Sequence, residues 1–195
     1  MSPRATRHPL TSIRVDDEIL LDSVAEGHAE ALFQLVDANR EHLRVWLPWL
    51  DANRSVEDTS TFIRASAERE AQELGMVLLI THRGDPSGVI GFNWIDHANR
   101  SCEIGYWLRR DREGEGIVSR SVRTLKGYAF ETLDLNRIVI PAAVGNAKSR
   151  AIAERLGFTQ EGIRRDAEWL YDHFVDHAVY ALLRRDLPSK CEPSQ

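Results

Sequence analysis

Residues 103–123, EIGYWLRRDREGEGIVSRSVR, constrain this chain more than any other stretch. Glu103 to Leu108 alternates and is rich in Ile, Tyr and Trp, which suits a pleated, half-buried strand. From Ile117 onward the apolar residues Val118, Val122, Leu125 and Ala129 recur at helical spacing. Gly114 and Gly116 occupy the junction. Glycine lets the backbone turn sharply and brings bare N–H groups to a helix start, where the dipole also favours an anion. A phosphate site is one reading of this junction. A plain turn between strand and helix is the other.

Composition narrows the classes. A chain of 195 residues with 43% hydrophobic content is long enough for one domain with a substantial core. A net charge of −5, with 28% charged residues, gives no basic footprint for nucleic acid. The two cysteines, Cys102 and Cys191, have neither CxxC nor Cys/His metal spacing, so no metal is expected. Cys102, next to a predicted strand, reads as a reduced, buried small residue. The opening MSPRATRHPLTSIRVDD lacks the apolar centre of a signal peptide, and no apolar run is long enough to span a bilayer. A cytoplasmic protein without membrane contact is expected.

Taken in order, residues 1–16 are polar, carry Pro3 and Pro9, and read as a flexible arm. Glu18 to Val24 predicts a strand, and Gly27 to Asn39 a helix with Ala31, Leu32, Leu35 and Val36 along one face. The segment NREHLRVWLPWLD (39–51) holds Trp46 and Trp49 around Pro48, which disfavours a continuous helix. Its indoles either pin a loop to the core or wall a cleft. Val56 to Leu74 predicts a helix closed by Gly75. Met76 to Thr81 and Gly88 to Ile95 follow as strands around the turn residues 83–88, and residues 97–100 turn into the 103–108 strand. Arg137 to Ala143 is an apolar strand, with Pro141 predicting a bulge or broken pairing. Asn146 caps a helix to Leu156, stopped by Gly157. Phe158 to Ile163 and His173 to Leu183 close the domain at about 187, and 188–195 reads as a disordered tail.

This order, with a Gly-x-Gly helix start after the fourth predicted strand, resembles the GNAT superfamily of acyl-CoA-dependent N-acetyltransferases. It is most similar to the RimJ/RimL branch, which acetylates ribosomal-protein N-termini. Four stretches carry the resemblance: NREHLRVWLPWLD (39–51), EIGYWL with EGEGIVS (103–119), NAKSRAIAERLGF (146–158) and EGIRRDAEWLYD (161–172). The similarity spans most of residues 17–186. It implies an α/β fold: a mixed, mostly antiparallel sheet flanked by helices, with its fourth and fifth strands splayed apart.

The resemblance also implies chemistry. Acetyl-CoA would be the co-substrate, its pantetheine arm running along Tyr106, Trp107 and Leu108. Its pyrophosphate would take N–H groups from Gly114, Glu115, Gly116, Ile117, Val118 and Ser119. Arg109, Arg110, Arg112, Arg120 and Arg123 could add charge there, or simply form a solvated rim. Glu113 and Val118 depart from the family loop pattern, and acidic Glu113 and Glu115 fit a phosphate site only if they point to water. The tyrosine acid of many GNAT enzymes is replaced here by Ala153. The RimL-like pattern instead offers Ser149 as acid and Glu168 as base, with Asn146 and Ser149 also at the cofactor. Trp46, Trp49 and Glu168 would line the acceptor cleft. The implied acceptor is the N-terminal α-amine of a protein. With a pKa of about 7.7–8.0 it is partly neutral near neutral pH, whereas a lysine at about 10.4 is not. Proteins of this branch are often homodimers. The rival readings are a small-molecule amine acceptor (polyamine, amino acid derivative or antibiotic) and a non-catalytic acyl-CoA-binding protein.

Overall fold

The computed structural model describes residues 12–187. Most of the expected arm, the tail over 188–195 and Cys191 lie outside the described residues. Ser12–Arg14, expected within the arm, instead forms a short edge strand, β1, paired antiparallel with β2 (Ile19–Ser23). Its alternation was too brief to register in a polar, proline-containing segment.

The chain then runs through α1 (Ala29–Ala38), α2 (Arg40–Arg44) and α3 (Val56–Ala71). Next come β3 (Met76–His82), β4 (Asp85–Asp96) and β5 (Ser101–Leu108). The second half is α4 (Ile117–Gly127), β6 (Arg137–Ala143), α5 (Ala147–Arg155), β7 (Thr159–Leu170) and β8 (His173–Leu183). Among the described residues the eight strands join one sheet in the order β1-β2-β3-β4-β5-β6-β8-β7, in which only β5 and β6 pair in parallel.

The period-2 pattern of β5 explains how it serves both faces. Cys102 and Ile104 point into the main core, where Tyr106 and Leu108 also pack, together with α4 and α5 through Val122, Leu125, Ala153 and Leu156. Trp107 points the other way, against the clusters built by α1, α3 and the 43–50 segment. Four α4 side chains (Ile117, Val118, Val122 and Leu125) are buried, worth together about 6–12 kcal/mol at 1.5–3 each as an upper bound. The helix that starts at the Gly-x-Gly loop is thus anchored by its own hydrophobic stripe. Burial also pushes the Cys102 thiol up to about 12, as an inert core residue should show.

Several boundaries move. The helix expected to reach Leu74 stops at Ala71, and the left-handed residue after it is Glu73 (φ 56°), not Gly75. The turn expected over 83–88 is only Arg83-Gly84, both at positive φ (52° and 85°), and β4 resumes at Asp85. Gly88 is therefore a strand residue. A Cβ there would lie 2.2 Å from the Trp107 carbonyl oxygen, so β5 approaches too closely for any side chain. Pro141 keeps its register with Val179 of β8, so no bulge forms on that side. The break falls on the β5 side, where pairing ends at Glu103–Val139. Finally, β7 continues past Ile163 to Leu170 through a register shift between Arg164 and Glu168, which hid the second half of the strand from its alternation.

Candidate active site

Beyond Glu103 and Val139, β5 and β6 diverge, and Tyr106, Trp107 and Leu108 keep one backbone edge clear of β6. The opening is part of a cleft of about 1700 Å³. Its lining brings together Tyr106, Trp107 and Leu108, the whole loop from Gly114 to Ser119, Asn146, Ser149 and Trp46. Eleven cofactor positions expected from the sequence, scattered over more than 40 residues, therefore meet in one place.

The loop geometry follows from its glycines. Gly114 has φ 85°, and Gly116, the residue capping the N-terminus of α4, has φ 72°. A Cβ at either would meet nothing within 4 Å, so the demand is conformational rather than steric. The left-handed turn exposes the first N–H groups of an eleven-residue helix to the cleft, an arrangement that fits a diphosphate. Ile117 and Val118 send their side chains into the core, which is why a residue larger than glycine or alanine is accommodated at Val118.

The loop glutamates have partners while staying partly open to water. Glu113 Oε2 accepts from Lys148 Nζ at 2.5 Å, and its Oε1 lies 3.3 Å from His42 Nε2. Glu115 lies 3.7 Å from Arg112 and 3.8 Å from the buried ring of His82. Side chains from α2, α5, β3 and the 110–112 turn thus face the two carboxylates. Among the expected arginines, Arg109 pairs with Asp111, Arg112 with Asp85 and Glu115, and Arg120 with Asp16 and Glu18. Arg110 and Arg123 line the cleft, as does Arg155, which sequence reasoning passed over.

On the α5 side of the cleft, Asn146 caps α5 by accepting the Ser149 N–H at 3.0 Å. That turn sets Ser149 against Tyr106, whose hydroxyl lies 3.0 Å from Ser149 Oγ and 3.2 Å from the Ser149 carbonyl oxygen. Burial pushes the Tyr106 phenol up to about 12, the Ser149 hydrogen bond acting the other way, so this hydroxyl keeps its proton at neutral pH. The sequence reading assigned Tyr106 to the cofactor through its backbone alone. The signal for its hydroxyl was the alternation that aims residue 106 toward α5. Ala153, at the usual tyrosine position, is fully buried in the core.

The acceptor-side expectations are split. Trp46 lines the main cleft and lies against Gly145. Trp49 lines a second cavity of about 520 Å³ with Phe62, Asp58 and Asn93, next to the first and sharing Tyr106 and Trp107 with it. Arg40 holds the 45–53 segment by donating to the carbonyls of Leu50 (2.6 Å) and Asn53 (2.8 Å). Glu168 lines neither cavity. It sits on β7 at the register shift, its carboxylate 3.5 Å from His177 Nε2. His177 pairs in register with Ala143, at the end of β6 just before the turn that leads to Asn146. Nearby, Tyr171 donates to the Leu47 carbonyl (2.5 Å) beneath the Arg44 guanidinium, and Asp172 is exposed and bound to His173. Among the described residues no cluster could hold a metal ion.

Fold and cleft together define a transferase built around an acyl-CoA site. The model of the acetyltransferase (GNAT) domain family matches residues 18–159, well over half of the chain, and the chain belongs to that family. It is 34% identical to the ribosomal-protein-serine acetyltransferase of Escherichia coli, over 87% of this chain and 95% of that protein. The structure of a ribosomal L7/L12 α-N-protein acetyltransferase, RimL, in complex with coenzyme A matches with a TM-score of 0.86 at 32% identity, covering 88% and 97% of the two chains. A microcin C7 self-immunity acetyltransferase in complex with acetyl-CoA and AMP matches with a TM-score of 0.85 at 34% identity, covering 89% and 96%. The chain is an N-acetyltransferase with acetyl-CoA as its donor, and the non-catalytic reading falls away.

Proposed function

We propose that this enzyme acetylates the N-terminal α-amine of a protein, a ribosomal protein in the first instance, in the cytoplasm. The observation that carries the reading is the Tyr106–Ser149–Asn146 cluster beside the β5–β6 opening, on a chain similar over most of its length to ribosomal-protein acetyltransferases. Bound acetyl-CoA supplies a thioester carbonyl for an amine to attack. The free edge of residues 106–108 orients its arm, and the N–H groups of 114–119 hold its diphosphate. Ser149 Oγ, fixed by Asn146 through the helix start and by Tyr106, places a hydroxyl where the departing sulfur needs a hydrogen bond. Glu168 accepts the amine proton through water.

Removing only the phenol oxygen tests the cluster. Tyr106→Phe should lower kcat about three- to tenfold, the worth of one hydrogen bond, with acetyl-CoA affinity unchanged. A Tyr106→Phe/Ser149→Ala double variant no slower than Ser149→Ala alone would support their acting as a unit, whereas an unchanged kcat in Tyr106→Phe would remove the phenol from the mechanism.

A second reading, a small amine joined to a flat ring, is favoured by the Trp49, Phe62 and Trp107 lining of the smaller cavity and by the AMP of the microcin relative. A polyamine fits less well, since Asp58 is the sole carboxylate of that cavity's lining and the main cleft is lined mostly by basic charge. Peptides with ribosomal-protein N-termini, amine-bearing adenylates and spermidine should be offered with acetyl-CoA and the products weighed by mass spectrometry. Acetylation of peptide α-amines ahead of the others is the expected result. Turnover confined to adenylates would move the assignment to the second reading.

A further inference from the structure

We propose that His82 is a positioning residue for the cofactor, acting through Glu115 to keep the Gly114–Gly116 loop receptive to a diphosphate. The inference rests on the reading of residues 114–119 as the diphosphate site. His82 closes β3 and is 1% exposed, and neither ring nitrogen has a hydrogen-bond partner among the described residues. Buried polar atoms without partners are uncommon, because nothing offsets their loss of water. Here each nitrogen faces a carboxylate: Nε2 lies 3.9 Å from Glu18 Oε2, and Nδ1 3.8 Å from Glu115 Oε2.

A neutral imidazole has one N–H and one lone pair. Between two carboxylates, that lone pair would face a negative oxygen. The tautomer therefore decides which carboxylate meets an N–H. The remaining charges divide unevenly between the two carboxylates. On the β2 side, Arg83 and Arg120 bind Glu18 at 2.6 and 3.0 Å, Arg120 also holds Asp16 at 2.8 Å, and the Glu18 carboxyl is kept below the usual carboxylate range. On the loop side, Glu115 has Arg112 at 3.7 Å, and that guanidinium is shared with Asp85 at 3.6 Å. The Nδ1 N–H of His82 is thus needed most by Glu115, the carboxylate with fewer other donors. Glu115 immediately precedes Gly116, so without that donor its charge would act directly on an incoming diphosphate. The ring holds the loop to the sheet and draws the Glu115 carboxylate toward β3, away from the anion site.

The test is a cycle of His82→Gln, Glu115→Gln and the double variant, titrated with acetyl-CoA and, at millimolar concentration, with acetyl-pantetheine, which lacks the diphosphate. His82→Gln should weaken acetyl-CoA binding roughly tenfold, and adding Glu115→Gln should restore it to within about threefold of wild type. Acetyl-pantetheine should bind all four proteins alike. Absence of rescue, or a parallel loss for acetyl-pantetheine, would overturn the proposal, since a merely structural histidine gives both. Should His82→Gln fail to fold, the ring of the wild-type protein can be read by NMR with ¹⁵N-histidine at neutral pH. A protonated Nδ1 is expected with and without coenzyme A, and a bare Nδ1 overturns the proposal. A Gly116→Trp protein that still binds acetyl-CoA would remove the loop reading and this inference together. Loss of binding in Gly116→Trp with a flat His82 result would remove this inference alone.

Discussion

Gly116→Trp should abolish saturable binding of acetyl-CoA while leaving a folded protein. Position 116 lines the cleft and has φ 72°, so an L-residue there must hold a left-handed backbone at a cost of about 1–2 kcal/mol. The ideal Cβ meets no atom within 4 Å, so the indole is placed without a backbone clash and extends from the loop that is to receive the diphosphate. Losing two charge-assisted N–H bonds at about 1.5–3 kcal/mol each weakens binding by roughly a hundredfold or more. Gly116→Ala is the control. It meets the same strain with little obstruction, so it should bind acetyl-CoA only a few-fold more weakly while losing similar stability. Calorimetric titration, with thermal unfolding to compare the two variants, checks both expectations. Tight binding to the Trp variant would place the diphosphate elsewhere.

The parts of the site legible in the sequence are those set by short-range rules. Alternation placed residues 103–108 in a strand, helical spacing began α4 at Ile117, and an Asn ahead of an apolar-spaced run gave the cap at Asn146. Each is a local consequence of backbone geometry. The Tyr106–Ser149 contact joins residues 43 apart and depends on where α5 packs, which no local pattern states. The partners of the loop glutamates were hidden for a similar reason. Glu113 meets Lys148 and His42, and Glu115 meets His82, across the fold, so their sequence neighbourhood could not supply these contacts. Resemblance supplied what spacing could not, the proposal that Ser149 and Asn146 sit at the cofactor. It also joined Trp46 with Trp49, which the fold sends to adjoining cavities.

Glu168→Gln should lower kcat/KM on the order of 10²-fold at pH 7, the low end for loss of a general base, without changing acetyl-CoA affinity. The pH dependence distinguishes a base from a surface carboxylate. A protein α-amine has a pKa of about 7.7–8.0, so at pH 7 most of the acceptor carries a proton that must leave before attack. Above that range the amine is already neutral, and a proton acceptor contributes less to reaching the reactive form. The defect of the Gln variant should therefore shrink as pH rises from 7 to 9, converging toward wild type. A defect constant with pH would assign Glu168 to binding or local structure, where its 3.5 Å approach to His177 at the β7 register shift already gives it a place. With a lysine acceptor the same curve would shift upward by more than two pH units, because that amine stays charged until about pH 10.4. The profile of one variant thus reports on the base and on the class of amine together. Convergence below pH 9 is the outcome that an α-amine acceptor requires.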